Sequence, residues 1–264
     1  MRKLPVLAAL GLTLALTACG GGAGVPSSPP TEPATAATPA PVPEPVVLEM
    51  GPLTEANAGA RRAYAAALER VVRELVLPDG SDYSGGEYPN MEENQFAVCD
   101  VDGDGEEELI LLYTTTMTAG HRGYICSWEE ETGELDIQLT AYPLFTFYEN
   151  GAVQGGWSHN QGKGGAFWPY DLYRYDASLD AYVDVGSVDA WDASLISEGY
   201  PADADVSGSG FVYYIETDSS IDWEEPLDAS IYEAWRYVYV RDGRELQPEY
   251  LALTEENIQR LLEE

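Results

Sequence analysis

The stretch FAVCDVDGDGEEELILLY, residues 96–113, places an acidic loop between two short apolar runs. Three aspartates, Asp100, Asp102 and Asp104, stand on alternate positions, and a glycine follows each of the last two. Apolar runs of this length on either side of a glycine-containing turn are typical of two strands. The stretch therefore predicts a strand–loop–strand hairpin whose loop concentrates carboxylates.

This loop has the spacing of a calcium site. Calcium takes six to eight oxygens, and one loop can supply several when positions 1, 3 and 5 are carboxylates and position 7 offers its carbonyl. The candidate metal ligands are Asp100, Asp102, Asp104, Glu106 and Glu108. Position 12 is Leu111, so the bidentate glutamate of an EF-hand is absent. We expect a structural calcium ion, because the loop supplies its own ligands; an acidic turn without an ion is the alternative.

The DVDGDG segment resembles the strand–loop–strand calcium loops of the FG-GAP and VCBS repeat families, in which an acidic residue and a strand follow DxDGDG. The resemblance implies that Asp100, Asp102, Asp104 and Glu108 are the side-chain ligands. It covers residues 96–112 only, and the repetition of those families is absent. A weaker copy of the spacing, with oxygen-bearing side chains on alternate positions, is formed by Asp203, Asp205 and Ser207.

The N-terminus has the pattern of a secretory signal. Arg2 and Lys3 precede an apolar run that is too short to span a bilayer and that ends in LTAC at Cys19. This ending resembles the lipobox of bacterial lipoproteins, which implies cleavage before Cys19 and a lipid on its sulfur. Residues 1–19 are therefore predicted to be a lipoprotein signal that leaves the protein anchored at the extracytoplasmic face of the cell membrane. An ordinary secretion signal is the alternative.

Composition divides the remaining chain in two. Residues 20–50 are rich in Pro, Ala and Thr without a hydrophobic period, which predicts a disordered tether. Residues 51–264 are long enough for a single globular domain with a substantial core. The formal charge is −33, and removal of Arg2 and Lys3 with the signal takes it to −35. Such a surface repels nucleic acid, so we expect no nucleic-acid partner.

The periodicity of the domain predicts an α+β fold. Apolar residues at helical spacing after Thr54 predict an N-terminal helix with that residue as N-cap, and Asp228 and Thr254 are candidate caps of two C-terminal helices. Between them, turn signals at residues 132–133, 150–151 and 176–180 predict an antiparallel β-meander sheet. The Asn150-Gly151 pair predicts a type I′ turn.

Over its whole length the chain is similar to uncharacterised lipoproteins of anaerobic gut Firmicutes. The shared segments are the acidic core, WSHNQG at residues 157–162 and FWPYDLYRYD at residues 167–176. No activity is attached to that group. The resemblance implies the membrane location and the loop, and it leaves the function open.

We expect a non-enzymatic module that binds a ligand or partner, such as a carbohydrate or a peptide. Candidate binding residues are Trp157, His159, Asn160, Trp168 and Tyr170. Trp191 and Trp223 are further candidates, and packing in the core is the alternative for each aromatic residue. The sequence predicts no oligomeric state.

Motifs for zinc hydrolysis, for a serine acyl enzyme and for a phosphate loop are absent, and we identify no catalytic residue. An envelope hydrolase that acts through carboxylates, for example on glycans, is the alternative function, and a purely structural role in the envelope is a third possibility. Cys99 and Cys126 lie in predicted strands, where they are either small hydrophobic residues or the two halves of a disulfide.

Overall fold

The computed structural model describes residues 43–83, 90–160, 162–217, 224–241 and 243–263. These residues lie in one compact unit, Val42–Glu264. The predicted signal with Cys19, most of the predicted tether and Trp223 lie outside the described residues. The folded unit begins earlier than predicted, because Val46–Leu48 at the end of the expected tether forms a strand.

The described residues form three α-helices and thirteen strands. The helices are α1 (Ala58–Glu74), α2 (Ala229–Tyr239) and α3 (Glu255–Arg260). The strands are β1 (Val46–Leu48), β2 (Gln95–Cys99), β3 (Glu108–Tyr113), β4 (Arg122–Glu129), β5 (Glu134–Ala141), β6 (Phe145–Tyr148), β7 (Ala152–Gly156), β8 (Tyr170–Asp176), β9 (Ala181–Asp192), β10 (Phe211–Glu216), β11 (Leu227–Asp228), β12 (Glu245–Pro248) and β13 (Leu251–Ala252).

The strands divide between two sheets. The smaller sheet has the order β13-β2-β3-β4-β5, and the larger has the order β1-β12-β6-β7-β8-β9-β10-β11. Neighbouring strands are antiparallel except β1 and β12, which are parallel. The α+β class with an N-terminal helix and C-terminal helices is confirmed. The sequence suggested a single meander, whereas the chain leaves one sheet at the end of β5 and enters the other at β6.

Side chains alternate between the two faces of each sheet, and the fold has four layers. Leu109 and Leu111 of β3 pack with α1 and α3, while Ile110 faces the other way and packs with Phe147 and Val153 of the larger sheet. The two sheets therefore pack face to face, with α1 and α3 on the outer face of the smaller one. The outer face of the larger sheet packs against α2. Each fully buried leucine of these cores contributes about 1.5–3 kcal/mol.

Local chemistry explains the ends of the helices. Asp228 and Thr254 cap α2 and α3 as predicted, because their side chains accept hydrogen bonds from Ser230 N and Asn257 N. Thr54 is not the N-cap of α1. That helix begins four residues later, and the Thr54 hydroxyl accepts instead from the backbone N–H of Asn57 in the turn before it.

The three predicted hairpins are present, but the type I′ turn is not. Gly151 has a φ of 75°, whereas Asn150 is not among the residues at positive φ, and a type I′ turn needs both. The N–H of Gly151 donates to the carbonyl of Tyr148. This arrangement matches the three-residue hairpin loop, in which a type I turn precedes one left-handed residue.

The two cysteines of the smaller sheet are free and buried. Cys99 packs between the two sheets, and Cys126 packs on the helix-covered face of the same sheet. Residues on opposite faces of a sheet point away from each other, so these two cannot form a disulfide in this fold. They behave as small hydrophobic residues.

Candidate metal centre

The acidic loop closes the hairpin of β2 and β3. Cys99 and Glu108 are the last paired residues of the ladder, and the loop between them folds back on Asp100. The Asp100 carboxylate accepts hydrogen bonds from Gly103 N at 2.7 Å and from Gly105 N at 3.1 Å. Both glycines are at positive φ, which the curled loop requires.

This curl brings carboxylates together in two groups that share one residue. Oxygens of Asp100, Asp102 and Glu108 lie within 4.8 Å of one another, and so do oxygens of Asp102, Asp104 and Asp180. Asp180 belongs to the turn between β8 and β9, so it comes from the other sheet. We call these five residues the acidic centre. All five offer oxygen atoms, which suit hard divalent cations such as calcium or magnesium. The acidic centre could therefore hold a metal ion.

Two carboxylates of the acidic centre are buried without a counter-charge. Glu108 is 1 % exposed and Asp102 is 9 % exposed. Burial, together with the charge of Asp102, raises the pKa of Glu108 to about 10. Burial and the charge of Asp104 raise the pKa of Asp102 to about 7. No salt bridge among the described residues includes any member of the centre.

Buried oxygens without partners belong to the centre or to residues close to it. Within the described part of the chain, Asp102 Oδ2, Gln138 Oε1 and the Tyr182 hydroxyl accept and donate no hydrogen bond. Burial raises the pKa of Tyr182 well above its ordinary value, and the charges of Asp102 and Glu108 raise it further. Gln138 Nε2 donates to Asp180 Oδ1 at 2.7 Å, which places its amide beside the centre. An orphaned buried oxygen is costly, and a cation bound by the acidic centre would satisfy Asp102 Oδ2.

Contacts from both sheets hold Asp180 in place. Its φ of 48° is a left-handed conformation that aspartate tolerates better than most residues. Its carboxylate accepts hydrogen bonds from Gln138, from Ser127 at 3.3 Å and from the Tyr175 hydroxyl at 2.8 Å. The Tyr175 hydroxyl also lies 3.1 Å from Asp104 Oδ2. The sequence did not identify Asp180 as a candidate metal ligand, because it indicated only that this residue lies in a turn.

Two other acids of the loop lie outside the acidic centre. The carboxylate of Glu106 is exposed and belongs to neither group, so only its main-chain carbonyl remains a candidate ligand. Glu107 instead forms a bidentate ion pair with Arg61 of α1, at 2.7 and 2.8 Å. Arg61 is fully buried, and the Tyr64 hydroxyl donates to the carbonyl of Glu107 at 2.6 Å. This pair fixes the loop to the helix layer.

Two of the five residues predicted to bind a ligand line a cleft, and the other three do not. Trp157 and His159 line a cleft of about 460 Å³ at the ends of β4, β5 and β7. Tyr170 is a core residue whose hydroxyl bonds to that of Tyr232. Asn160 donates to two carbonyls of its own loop. Trp168 is 45 % exposed but lies outside the cleft.

Sequence reasoning did not identify most of the cleft. Its lining also includes His121, Arg122, Tyr142, Asp171 and Tyr173. These residues lie in strands of both sheets or next to them, at positions that are distant in the chain, and no local motif joins them.

Trp191 and Asp205, which were also candidates, have structural roles. Trp191 is 9 % exposed and packs against Tyr200. The carboxylate of Asp205 accepts hydrogen bonds from Ser209 N and Gly210 N, so it shapes its own turn. Neither carboxylate group found in the described ranges contains Asp203 or Asp205.

None of the helices in the described ranges is both long and apolar enough to cross a membrane. Comparisons with protein-family models, with curated proteins and with solved structures find no match to this chain.

Proposed function

We propose that the protein is a lipid-anchored, extracytoplasmic binding module whose fold is stabilised by calcium. The signal and the lipobox-like ending at Cys19 support the location. The acidic centre supports the ion, and the cleft beside Trp157 and His159 supports the binding role.

The observation that carries the calcium proposal is the uncompensated burial of Asp102 and Glu108. Buried carboxylates are normally paired or bound to a metal, because burying a charge alone is costly. Calcium suits the site better than magnesium, since it accepts six to eight oxygens in flexible geometry, whereas magnesium requires a near-ideal octahedron and retains waters. Outside the cell, an affinity of about 0.1–1 mM is sufficient.

A matched pair of variants tests the proposal. Glu108→Gln and Glu106→Gln remove the same charge two residues apart, but only Glu108 belongs to the acidic centre. The unit Val42–Glu264 contains both sheets and their cores, so it is the protein to use. Metal-free protein is titrated with calcium, and with magnesium in parallel, by calorimetry and thermal melting.

We expect calcium to bind the wild type and the Glu106→Gln variant, but not the Glu108→Gln variant. At a calcium concentration of 100 times the Kd, binding stabilises the fold by about 2.7 kcal/mol, which raises the Tm of a domain this size by about 5–10 °C. If neither heat nor a Tm shift appears at 10 mM calcium, roughly ten times the weakest extracellular Kd, the proposal is wrong. Equal losses in both variants would mean that net charge, rather than ligation, governs binding.

The cleft favours binding over carboxylate-based hydrolysis. Such hydrolysis uses two carboxyl groups on either side of the scissile bond. Among the described residues that line the cleft, Asp171 is the one acid, and its carboxylate already accepts hydrogen bonds from Trp157 Nε1 and Ser187.

A further inference from the structure

The cleft concentrates basic and aromatic groups in a strongly acidic protein. The sequence has 46 acidic residues against 13 lysines and arginines, and it has two histidines. Both histidines, His121 and His159, line the cleft together with Arg122, while Asp171 is its one described acid. A ligand with negative charge would be repelled by most of this surface, and it would meet less repulsion beside Arg122 and the two histidines.

The basic groups have defined positions. Arg122 Nη1 donates to the carbonyls of Ala119 at 3.0 Å and His121 at 2.8 Å, which fixes the guanidinium. Arg122 forms no salt bridge with the described acids, although its charge is close enough to Asp79 to act on that carboxylate. His159 is exposed, and its Nδ1 lies 3.0 Å from the hydroxyl of Ser158. A fixed guanidinium and an exposed imidazole that line the same cleft suit a carboxylate.

The aromatic groups are held equally firmly. Trp157 Nε1 donates to Asp171 Oδ1 at 2.9 Å, and its carbonyl accepts from Trp168 Nε1 at 2.8 Å. The ring of Tyr142 stacks on that of His121, with centroids 5.6 Å apart. Because a carbonyl can only accept, the 3.1 Å contact from His121 Nε2 to Thr116 O places a proton on that nitrogen. The cleft therefore has preorganised rings, which lowers the cost of binding.

We propose that this cleft binds a saccharide unit that carries a carboxylate. The volume of about 460 Å³ falls within the range of small-molecule sites. The rings of Tyr142 and Trp157 offer apolar faces for the C–H face of a sugar ring. Hydroxyls of Thr140 and Ser158 can both donate to and accept from sugar hydroxyls, and Arg122 with His159 receives the carboxylate. This inference rests on the proposed binding role and does not depend on the calcium site.

The test compares two tetrasaccharides by calorimetry on the unit Val42–Glu264. Hyaluronan tetrasaccharide contains glucuronic acid, and chitotetraose is neutral. We expect the acidic tetrasaccharide to bind at least about tenfold more tightly, the effect of one charge-assisted hydrogen bond. Equal binding of both tetrasaccharides would overturn the proposal. So would the absence of binding at 10 mM acidic sugar, a concentration roughly tenfold above a millimolar Kd. Tighter binding of tetraglutamate than of the acidic sugar would also overturn it, in favour of an acidic peptide.

Variants assign the binding to the cleft. Arg122→Met and Arg174→Met remove the same charge, but Arg174 is exposed on β8 and lies outside the cleft. We expect Arg122→Met and His159→Ala each to weaken binding about tenfold and Arg174→Met to leave it unchanged. Binding that is equally affected by both arginine variants would locate it outside the cleft and overturn the proposal.

The same titrations in calcium and in metal-free buffer separate the two proposals. Failure of the calcium site appears as an unchanged Tm on addition of calcium. Failure of the cleft appears as absence of heat with the acidic sugar in a protein whose Tm does respond to calcium.

Discussion

Metal-free protein should lose stability as the pH rises from 5 to 7. The pKa of Glu108, raised to about 10 by burial, keeps this carboxyl protonated in the folded state, whereas its ordinary value of 4.5 leaves it ionised in the unfolded chain. Folding therefore takes up about one proton throughout this window. The free energy of unfolding then falls by about 1.4 kcal/mol for each pH unit, or about 3 kcal/mol between pH 5 and 7.

The sign follows from the direction of the shift. A carboxyl whose folded-state pKa is raised contributes its full stability below the unfolded value, and it loses that contribution as the pH approaches the folded value. Asp102, whose pKa burial raises to about 7, acts in the same direction. Calcium should remove this loss, because the ion binds the ionised carboxylates and releases their protons.

Urea unfolding at pH 5, 6 and 7 measures the effect, in buffers cleared of metal by a chelating resin. The Glu108→Gln variant is the control, because its side chain has a similar shape and does not titrate. We expect its stability to depend on pH less steeply than that of the wild type by about 1.4 kcal/mol per unit. Equal slopes for the wild type and the variant would refute the assignment of a protonated, buried Glu108 in the metal-free fold.

Three substitutions test other contacts of the same centre. Asp180→Asn should weaken calcium binding at least about tenfold in calorimetry, because it neutralises the one carboxylate that the larger sheet supplies; an unchanged affinity would place the ion in the hairpin loop alone. Glu107→Gln should lower the free energy of unfolding in urea by about 3–5 kcal/mol, because it leaves Arg61 buried without its partner. The double variant with Arg61→Met should recover part of that loss, whereas additive losses would contradict the pairing. Gly123→Ala should lower the free energy of unfolding by about 1–3 kcal/mol, since the new Cβ would lie 2.5 Å from the ring of Phe145, where the chain crosses between sheets. An unchanged Tm would show that this ring moves freely.

Local chemistry made part of this structure predictable. The hairpin around the acidic loop, the three turns and the caps at Asp228 and Thr254 depend on residues that are close in sequence. The misplaced cap at Thr54 and the turn type at Asn150 are differences of detail within correctly located elements. These features follow from backbone preferences that a single segment expresses by itself.

The long-range part was not predictable, because it depends on how strands pair. Asp180 lies beside the loop only because the β8–β9 turn of the larger sheet packs against the smaller sheet. The division into two sheets has the same origin, since alternating residues show which positions are buried but not which strand lies across from them. Likewise, His121 and His159 meet in one cleft through the ends of strands in different sheets.

The position of the acidic centre suggests why neighbouring acids have different roles. Glu107 and Glu108 are consecutive, so at the start of β3 their side chains point to opposite faces. The first reaches Arg61 in the helix layer, and the second enters the acidic centre with the carboxylates of the loop. Asp180 extends that centre to the larger sheet. A cation bound here would connect the two sheets, while the ion pair connects the smaller sheet to α1, so one short loop would join three of the four layers.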